Sequence, residues 1–374
     1  MTSDRAAITY FAYDLVDESV ARRLAMFHAG GADVTLLGFH RSPKAPAEID
    51  GVVPVSLGQT EHANFLNRIF AVLWAILRTP RWWRSVRGAD AIVARNLECL
   101  AVAAIVRRTA GSRAPLVYEI LDIHRLLSDP GFKGRLMRAA EGLLLRQCAA
   151  VITSSPAFVR AHLQRYEHLP PVILVENKVL ALNGLPRATV VRPPNPPWRI
   201  GWFGRLRCRR SLLFLADLAN RANGQLEVIL RGSIDLPLRD LLDETLKASQ
   251  HLTYRGRYSY AELPELYGEV HFAWGIDFFE AGLNSSWLLA NRLYEGCANG
   301  AVVIALKDVE TGAWLDGHGI GLTCVSLDDA GQSLEAMTPD RYATLAAGLQ
   351  ERPQSLFVAG RDDCVRLVQA IVHA

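Results

Sequence analysis

Four arginines follow a single predicted strand within six residues. The segment IGWFGRLRCRRS (200–211) begins with apolar residues that predict a buried strand, and Gly204 marks its end. The arginines are Arg205, Arg207, Arg209 and Arg210. Guanidinium groups form strong charge-assisted hydrogen bonds with phosphate, and an unused charge directly after a buried strand is unfavourable. The segment therefore predicts a site for an anionic ligand such as a diphosphate.

A second group of reactive side chains lies in VYEILDIHRLLSD (117–129), where another predicted strand ends. Glu119, Asp122 and His124 follow one another there, and the carboxyl ends of strands are where general bases sit in α/β proteins. Asp122 is the candidate base, and His124 is the alternative base or a phosphate contact. A structural role, with Asp122 capping a helix and His124 packing locally, stays open.

The third segment is DFFEAGLNSSWLLANRLYEGCANGAVVIA (277–305). Its second half predicts a helix that begins near Asn291 and a strand that follows Gly300. Free backbone N–H groups at a helix start hold phosphate oxygens. A carboxylate one turn further on, here Glu295, could accept hydrogen bonds from both hydroxyls of a ribose.

The first and third segments resemble the donor domain of the two-domain GT-B glycosyltransferases. In that fold a Pro/Ala-Asn-Lys/Arg-Leu-Phe/Tyr-Glu segment opens a helix, and a Gly-x-Val-Ile strand follows. The resemblance implies that Glu295 holds the ribose of a nucleotide-sugar donor. It also implies that the nucleotide site contains Asn291, Arg292, Leu293 and Tyr294.

The resemblance also assigns roles to the arginine segment. Gly204 would let the backbone approach the phosphates, and Arg205 and Arg210 would stabilise the leaving nucleoside diphosphate. Arg207 and Ser211 would belong to the same donor site. Arg231, in LEVILRGS, stands where this fold lines the nucleotide pocket.

One position departs from the family-4-type pattern of two glutamates eight positions apart. Eight residues before Glu295 this chain has Trp287. With this difference, the sequence more closely resembles bacterial exopolysaccharide glycosyltransferases, such as those of succinoglycan and xanthan assembly. In the loop 280–286 small polar groups could hold sugar hydroxyls instead, with Asn284 the strongest candidate; an N-cap role for Asn284 or Ser285 stays open.

The elements that must position these residues alternate along the whole chain. Short apolar runs and segments of helical period repeat as βαβ-like units, which predict an α/β fold with two Rossmann-like domains facing a cleft. We expect an acceptor-binding domain at 1–180, a proline-rich linker at 181–198 and a nucleotide-sugar-binding domain at 199–350. A C-terminal helix at 351–374 would return to the first domain.

Composition narrows the function further. The chain has 374 residues and six scattered cysteines that lack metal-ligand spacing, so we expect reduced thiols. Net charge is about +7 over the first 190 residues and about −4 over the rest. The positive first half suits an anionic partner, but its charge is lower than is usual for proteins that bind nucleic acid. No DxD, GxGxxG, Walker A or GxSxG motif occurs.

A basic, tryptophan-bearing segment, 64–87, has five arginines and no acidic residue. Such a segment can lie in a bilayer interface, with Trp74, Trp82 and Trp83 at headgroup depth, and the basic helix 131–148 could add to it. The longest apolar run, Ile69 to Leu77, is too short to span a bilayer. Since the N-terminus has no signal-peptide pattern, we expect a cytoplasmic protein on the inner face of the membrane.

Together these features predict a metal-independent glycosyltransferase without a cofactor. It would move a sugar from a nucleotide-diphosphate donor, with UDP expected, to a lipid-linked or growing polysaccharide acceptor. Two alternatives stay open. One is an enzyme like the UDP-sugar 2-epimerases, which share the two-domain architecture, and the other is a catalytically silent sugar-nucleotide-binding scaffold.

Overall fold

The structure, a computed structural model, describes residues 5–60, 65–185 and 192–374. The chain forms two compact units. The first contains Met1–Glu176 and Ala359–Ala374, and the second contains Asn177–Val358. The start of the predicted first domain (1–4), position 64 of the predicted membrane segment and positions 186–191 of the predicted linker lie outside the described residues.

The first unit is built on a seven-stranded parallel sheet. Its strands are β1 (Ala6–Ala12), β2 (Ala32–His40), β3 (Val55–Gln59), β4 (Ala91–Arg95), β5 (Leu116–Ile120), β6 (Ala150–Thr153) and β7 (Val172–Leu174). The strand order is β3-β2-β1-β4-β5-β6-β7. Because the order reverses between β1 and β4, the crevice at their carboxyl ends is the preferred ligand position of this sheet.

Helices connect these strands. They are α1 (Glu18–Ala29), α2 (Phe65–Leu77), α3 (Trp83–Arg87), α4 (Asn96–Ala110), α5 (Arg125–Ser128), α6 (Phe132–Leu145) and α7 (Pro156–Ala161). The strands β1, β4 and β5 are apolar along most of their length because a parallel sheet is covered on both faces.

The second unit contains a six-stranded parallel sheet in the order β11-β10-β9-β12-β13-β14. Its strands are β9 (Trp198–Leu206), β10 (Leu226–Ile234), β11 (Leu252–Tyr254), β12 (Phe272–Trp274), β13 (Val302–Leu306) and β14 (Leu322–Cys324). The short strands β8 (Val179–Leu180) and β15 (Val358–Ala359) pair separately.

Eight helices follow α7 before the chain leaves the second unit, and one more completes the first. They are α8 (Arg209–Arg221), α9 (Arg239–Ala248), α10 (Leu263–Gly268), α11 (Asn284–Trp287), α12 (Asn291–Ala298), α13 (Glu310–His318), α14 (Leu327–Glu335), α15 (Pro339–Gln350) and α16 (Arg361–Val372). The prediction of an α/β fold with two Rossmann-like domains is confirmed.

The unit boundaries differ from the predicted domain boundaries. The predicted linker 181–198 lies inside the second unit, because its described end is held there. Arg192 donates from Nη2 to the carbonyl of Asn299 at 2.8 Å, and His271 Nε2 lies 2.7 Å from the carbonyl oxygen of Pro193. The prolines therefore indicate an irregular segment within the second unit and do not mark the boundary between the two units.

The predicted C-terminal segment 351–374 is divided between the units. Residues 351–358 belong to the second unit, whereas α16 lies in the first and packs against α1. The packing is close at Gly30, where a Cβ atom would lie 2.4 Å from the carbonyl oxygen of Cys364. A side chain at Gly30 would therefore push the two helices apart.

A buried ionic network joins β1, β4, β5 and α1 in the first unit. Glu119 is fully buried, and its two carboxylate oxygens accept from Arg23 Nε and Arg95 Nε, each at 2.7 Å. Tyr10 donates to the same carboxylate at 2.8 Å. Burial disfavours the charged carboxylate, but Arg95 and Arg23 outweigh it and lower the pKa of Glu119 to about 2.

Replacing Glu119 should destabilise the protein in a pH-dependent way. Since the folded-state pKa lies below the ordinary value of 4.5, the network stabilises the fold above about pH 4.5 and loses this effect as the pH falls towards 2. Glu119→Gln leaves two buried guanidinium groups unpaired, so we expect a loss of about 3–5 kcal/mol at pH 7.

Urea unfolding at pH values from 7 to 2 measures this effect. The variant should be less stable at pH 7 and should show a shallower decline with acid than the wild type. Glu48→Gln, which changes an exposed glutamate of the same unit, is the control and should follow the wild type. Parallel pH profiles for wild type and Glu119→Gln would contradict the assignment.

Candidate active site

A pocket opens at the carboxyl edge of the second unit's sheet. It encloses about 470 Å³, part of which is open solvent. Segments that follow β9 and β12, the end of β13 and the starts of α12 and α13 surround it. The lining residues are Arg207, Gly275, Ile276, Asp277, Ser285, Leu288, Ala290, Arg292, Leu306, Val309 and Thr311. This is the position where open parallel sheets bind ligands.

An ion pair occupies one side of this pocket. Arg207 donates from Nε and Nη2 to Asp277 Oδ2, at 3.3 and 3.0 Å, and both side chains are largely buried. Burial raises the pKa of Asp277, but Arg207, the backbone N–H of Phe279 and then Arg292 oppose this effect, and the net pKa is lowered. The guanidinium of Arg207 also lies 4.7 Å from the ring centre of Phe279. Asp277 therefore stays ionised and Arg207 is held in one orientation.

Helix α12 begins at the pocket. Ala290 is its N-cap and provides no side-chain cap, so the N–H groups of Asn291 and Arg292 have neither an intrahelical nor a capping side-chain partner. Arg292 lines the same pocket, and its Nη1 reaches the carbonyl of Trp274 at 3.5 Å. A helix start with an adjacent arginine provides the positive potential that a diphosphate requires.

Glu295 lies one turn further along α12 and is 9% exposed. Its Oε2 accepts a hydrogen bond from the hydroxyl of Tyr267 on α10 at 3.0 Å. Burial, above all, and the adjacent carboxylate raise the pKa of Tyr267 well above its usual value, so Tyr267 stays a donor. Tyr267 thus fixes one oxygen of the carboxylate, and a carboxylate oxygen can accept more than one hydrogen bond.

Two glycines let β9 and β10 approach closely at this edge. Gly204 and Gly232 are paired in register and have φ angles of +109° and +130°. A Cβ atom on Gly232 would lie 1.7 Å from the carbonyl oxygen of Gly204. Both positions require glycine, because no other residue fits this backbone conformation and spacing.

In the first unit, Asp122 and His124 follow β5 and both are exposed. His124 is the N-cap of α5, since its Nδ1 accepts from the backbone N–H of Leu126 at 3.3 Å. A neutral imidazole whose Nδ1 accepts carries its proton on Nε2, so it has no second nitrogen ready to take a proton. The helix cap that the sequence left open for Asp122 is provided by His124, and Asp122 stays the candidate base.

Comparison with known proteins agrees with this architecture. The structure is similar to sucrose-phosphate synthase from Thermosynechococcus elongatus, with a TM-score of 0.73, 14% identity and 98% of each chain covered. It is also similar to Anabaena HepE in complex with UDP and glucose, with a TM-score of 0.68, 18% identity and 98% of each chain covered. These similarities concern the fold.

The sequence itself decides the family. Residues 17–177 match the family described as "Glycosyl transferase 4-like domain". Over 373 residues the chain is 43% identical to succinoglycan biosynthesis protein ExoL of Rhizobium meliloti (strain 1021). The matched region covers 97% of this chain and 93% of ExoL. The chain belongs to the GT-B glycosyltransferases of the exopolysaccharide type. This membership favours the glycosyltransferase interpretation over the epimerase and the silent scaffold.

Within this glycosyltransferase, three of the predicted arginines, Arg205, Arg210 and Arg231, lie outside the pocket lining. Arg205 pairs with Asp235 at 2.6 Å and is 59% exposed. Arg210 is exposed and lies 4.1 Å from the ring centre of Phe278. Spacing could not separate them from Arg207, which lines the pocket because it lies in the loop between β9 and α8.

Three further predicted residues act in packing. Ser211 is buried and donates to the carbonyl of Ile276 at 3.0 Å, so its hydroxyl does not face a phosphate site. Leu293 and Tyr294 are fully buried on α12. The signature thus combines two core residues with Arg292, which lines the pocket, and with Glu295, which is buried on the same helix and is not among the lining residues. Asn291 is exposed at the first position of the helix.

Asn284 is buried and donates from Nδ2 to Glu280 at 2.8 Å. It is the first residue of α11 and not its side-chain cap, whereas the neighbouring Ser285 lines the pocket and accepts from the backbone N–H of Glu280 at 3.0 Å. Arg231 donates to the carbonyl of Arg257 at 2.7 Å and to Glu262 at 3.1 Å.

Sequence reasoning missed Asp277 as a site residue, although one signal was available. A carboxylate that directly follows a short apolar strand in a parallel sheet lies at the ligand edge. Tyr13 and Asp17 follow β1 and are joined by a hydrogen bond from the tyrosine hydroxyl, and Asp17 is the N-cap of α1. The charge of Asp122 acts on Tyr13, which places the candidate base beside them.

Proposed function

We propose that this glycosyltransferase uses a UDP-sugar as donor and bonds its nucleotide at α12. The start of α12 at the pocket, with Arg292 in the lining and Glu295 one turn further on, carries the proposal. The diphosphate would accept from the N–H groups of the first turn and from Arg292. These groups stabilise the charge that develops as the glycosidic bond breaks. The UDP bound to HepE supports the choice of nucleotide.

The groups that neutralise the leaving diphosphate in this proposal are Arg292 and the N–H groups at the start of α12. Among residues 5–60, 65–185 and 192–374, no cluster of three or more His, Cys, Asp or Glu side chains that could hold a metal ion is found. The six cysteines are all buried, and none of them is among the residues that line the pocket. The co-substrate of this proposal is the sugar nucleotide.

Removing the Glu295 carboxylate should weaken nucleotide binding selectively. Isothermal titration of UDP, GDP, ADP and dTDP without added metal should show preferential binding of UDP by the wild type. We expect Glu295→Ala to lose about 10- to 100-fold in UDP affinity, since hydrogen bonds to a charged group are lost.

Tyr267→Phe is the matched control for this variant. It removes the internal hydrogen bond to Glu295 but keeps the carboxylate, so it should bind UDP within a few-fold of the wild type. UDP affinity that survives in Glu295→Ala would refute the ribose assignment.

We propose Asp122 as the group that deprotonates the acceptor hydroxyl. It follows β5 at the carboxyl edge of the first sheet, is exposed, and lies close enough to Tyr13 for its charge to act on that hydroxyl. The acceptor would be a lipid-linked or growing polysaccharide, in line with the exopolysaccharide relative. Arg95 and Glu119 cannot take this role because they are buried in their own ion pair.

Transfer of labelled sugar from a UDP-sugar to a lipid-linked acceptor tests the base. Asp122→Asn should lower turnover by about 10²- to 10⁴-fold while leaving UDP binding unchanged. His124→Asn keeps a good N-cap for α5 and should keep most of the turnover. The opposite pattern, with His124→Asn inactive and Asp122→Asn active, would transfer the role to His124.

We further propose that the first unit binds the cytoplasmic face of the membrane through α2 and α6. No helix among the described residues is long and apolar enough to span a bilayer. However, both helices pack against α4 and expose apolar side chains at helical spacing. These are Phe70, Leu73, Trp74 and Leu77 on α2 and Phe132, Leu136 and Leu143 on α6.

The surroundings of these apolar side chains are basic. Arg81, Arg84 and Arg87 are exposed after α2, and Lys133 and Arg135 are exposed on α6. The only acidic residue of α6, Glu141, is fully buried. This surface suits anionic lipid, with Trp74 at the interface under the guanidinium of Arg78, 4.2 Å from its ring.

The two other tryptophans predicted for the membrane surface have different positions. Trp82 is buried at 4% exposure, and Trp83 is half-buried and donates to Thr109 at 3.0 Å. Both therefore pack within the first unit. The interface proposed here depends on Trp74 and the apolar side chains of α2 and α6 instead.

Vesicle flotation measures membrane binding directly. The double variant Trp74→Ser, Leu77→Ser should bind vesicles of phosphatidylcholine and phosphatidylglycerol at least about tenfold more weakly than the wild type, because two apolar side chains no longer enter the interface. Leu236→Ser is the control, since Leu236 is 80% exposed in the second unit. Equal flotation of the double variant and wild type would refute the proposal.

A further inference from the structure

The pocket in the second unit holds both signs of charge. Among its lining residues the charged side chains are Arg207, Asp277 and Arg292. Asp277 is the one acid in that lining, within the part of the chain that the structure describes. A carboxylate repels phosphate oxygens, so it is unfavourable beside a diphosphate unless it serves another part of the ligand. Its presence divides the pocket into two chemically different sides.

One side suits phosphate. Arg292 and the uncapped first turn of α12 supply positive potential there. The other side consists of the Arg207–Asp277 pair, which is close to neutral as a whole. Ser285 and Thr311 add hydroxyl groups to the same lining. This second side suits an uncharged ligand that carries several hydroxyl groups.

The hydrogen-bonding capacity of this side is incompletely used. Asp277 Oδ2 accepts from Arg207, and Oδ1 accepts from the backbone N–H of Phe279 at 2.9 Å. Each carboxylate oxygen can accept a second bond. Thr311 donates its hydroxyl to the carbonyl of Leu288 at 3.0 Å and keeps its acceptor positions. The side therefore offers acceptors for ligand hydroxyl groups, held in place by contacts within the protein.

The other carboxylate of this loop is already engaged. Glu280 accepts from the amide of Asn284, which is itself buried. Trp287, in the following helix α11, carries no carboxylate. Asp277 is therefore the acidic group of this segment that the structure presents to the pocket.

We propose that Asp277, oriented by Arg207, selects an uncharged hexose as the donor sugar by accepting hydrogen bonds from its hydroxyl groups. The proposal rests on the nucleotide binding proposed above, because the sugar reaches this side only when its diphosphate lies at Arg292 and α12. A sugar with its own carboxylate is repelled by Asp277. The pair thus acts on the identity of the sugar and leaves the affinity for the nucleotide itself unchanged.

Titration of four ligands into wild type and Asp277→Asn tests this proposal. The ligands are UDP, UDP-glucose, UDP-galactose and UDP-glucuronate. For the wild type, one neutral UDP-hexose should bind more tightly than UDP, and UDP-glucuronate more weakly. In Asp277→Asn the affinity for that UDP-hexose should fall by about 10- to 100-fold and the affinity for UDP should stay the same. UDP-glucuronate should bind more tightly than before, since Arg207 then faces it without a competing carboxylate.

Two control variants separate selection from folding. Glu227→Gln breaks the Arg199–Glu227 pair, 3.1 Å long, at the amino end of the same sheet and should leave all four affinities unchanged. Asp277→Glu keeps the charge and should keep the exclusion of UDP-glucuronate.

Each contrary result has a distinct meaning. If Asp277→Asn loses UDP and UDP-hexose affinity by the same factor, or keeps both, Asp277 does not select the sugar and the inference is wrong. If the wild type binds none of the four ligands, the nucleotide site at α12 fails and the inference fails with it.

Discussion

The ion pair between Arg207 and Asp277 sets the character of the carboxyl edge of the second sheet. Arg207 follows β9 and Asp277 follows β12, so the pair joins the ends of two neighbouring strands. Burial of either charge alone would be strongly unfavourable. Since the two charges compensate each other, the positive potential that remains comes from Arg292 and the start of α12. A doubly charged diphosphate and a neutral sugar can therefore occupy adjacent positions in one small pocket.

In the first unit, too, a buried charge is compensated by opposite charges, but there the charges hold the sheet together. Glu119, at the end of β5, is neutralised by Arg23 and Arg95 and hydrogen-bonded by Tyr10. These side chains hold α1 and three strands together and have no capacity for catalysis. The proposed base lies three residues beyond Glu119, where the chain has left the sheet and Asp122 is exposed. Buried charge thus stabilises the sheet, and exposed charge after the strand remains for chemistry.

Sequence patterns identified segments more reliably than individual side chains. The strand that contains Gly204, the helix that begins at Asn291 and the α/β fold all follow from local properties: apolar period, glycine and the residue types at a helix start. However, the local pattern could not show which of the closely spaced arginines lines the pocket. Arg205 and Arg207 differ by two positions, yet one faces Asp235 near solvent and the other lines the pocket. Trp82 and Trp83 likewise look equivalent in sequence and differ in burial.

The sequence by itself determined the two parallel sheets, the segments at their carboxyl edges and the family, because these depend on periodicity and on residues adjacent in the chain. Only the tertiary structure decided which charges neutralise one another. Asp277 and Arg207 are 70 positions apart, and Glu119 and Arg23 are 96 apart. The energy of a charge depends on its burial and on its neighbours in space, and the packing of strands and helices creates both.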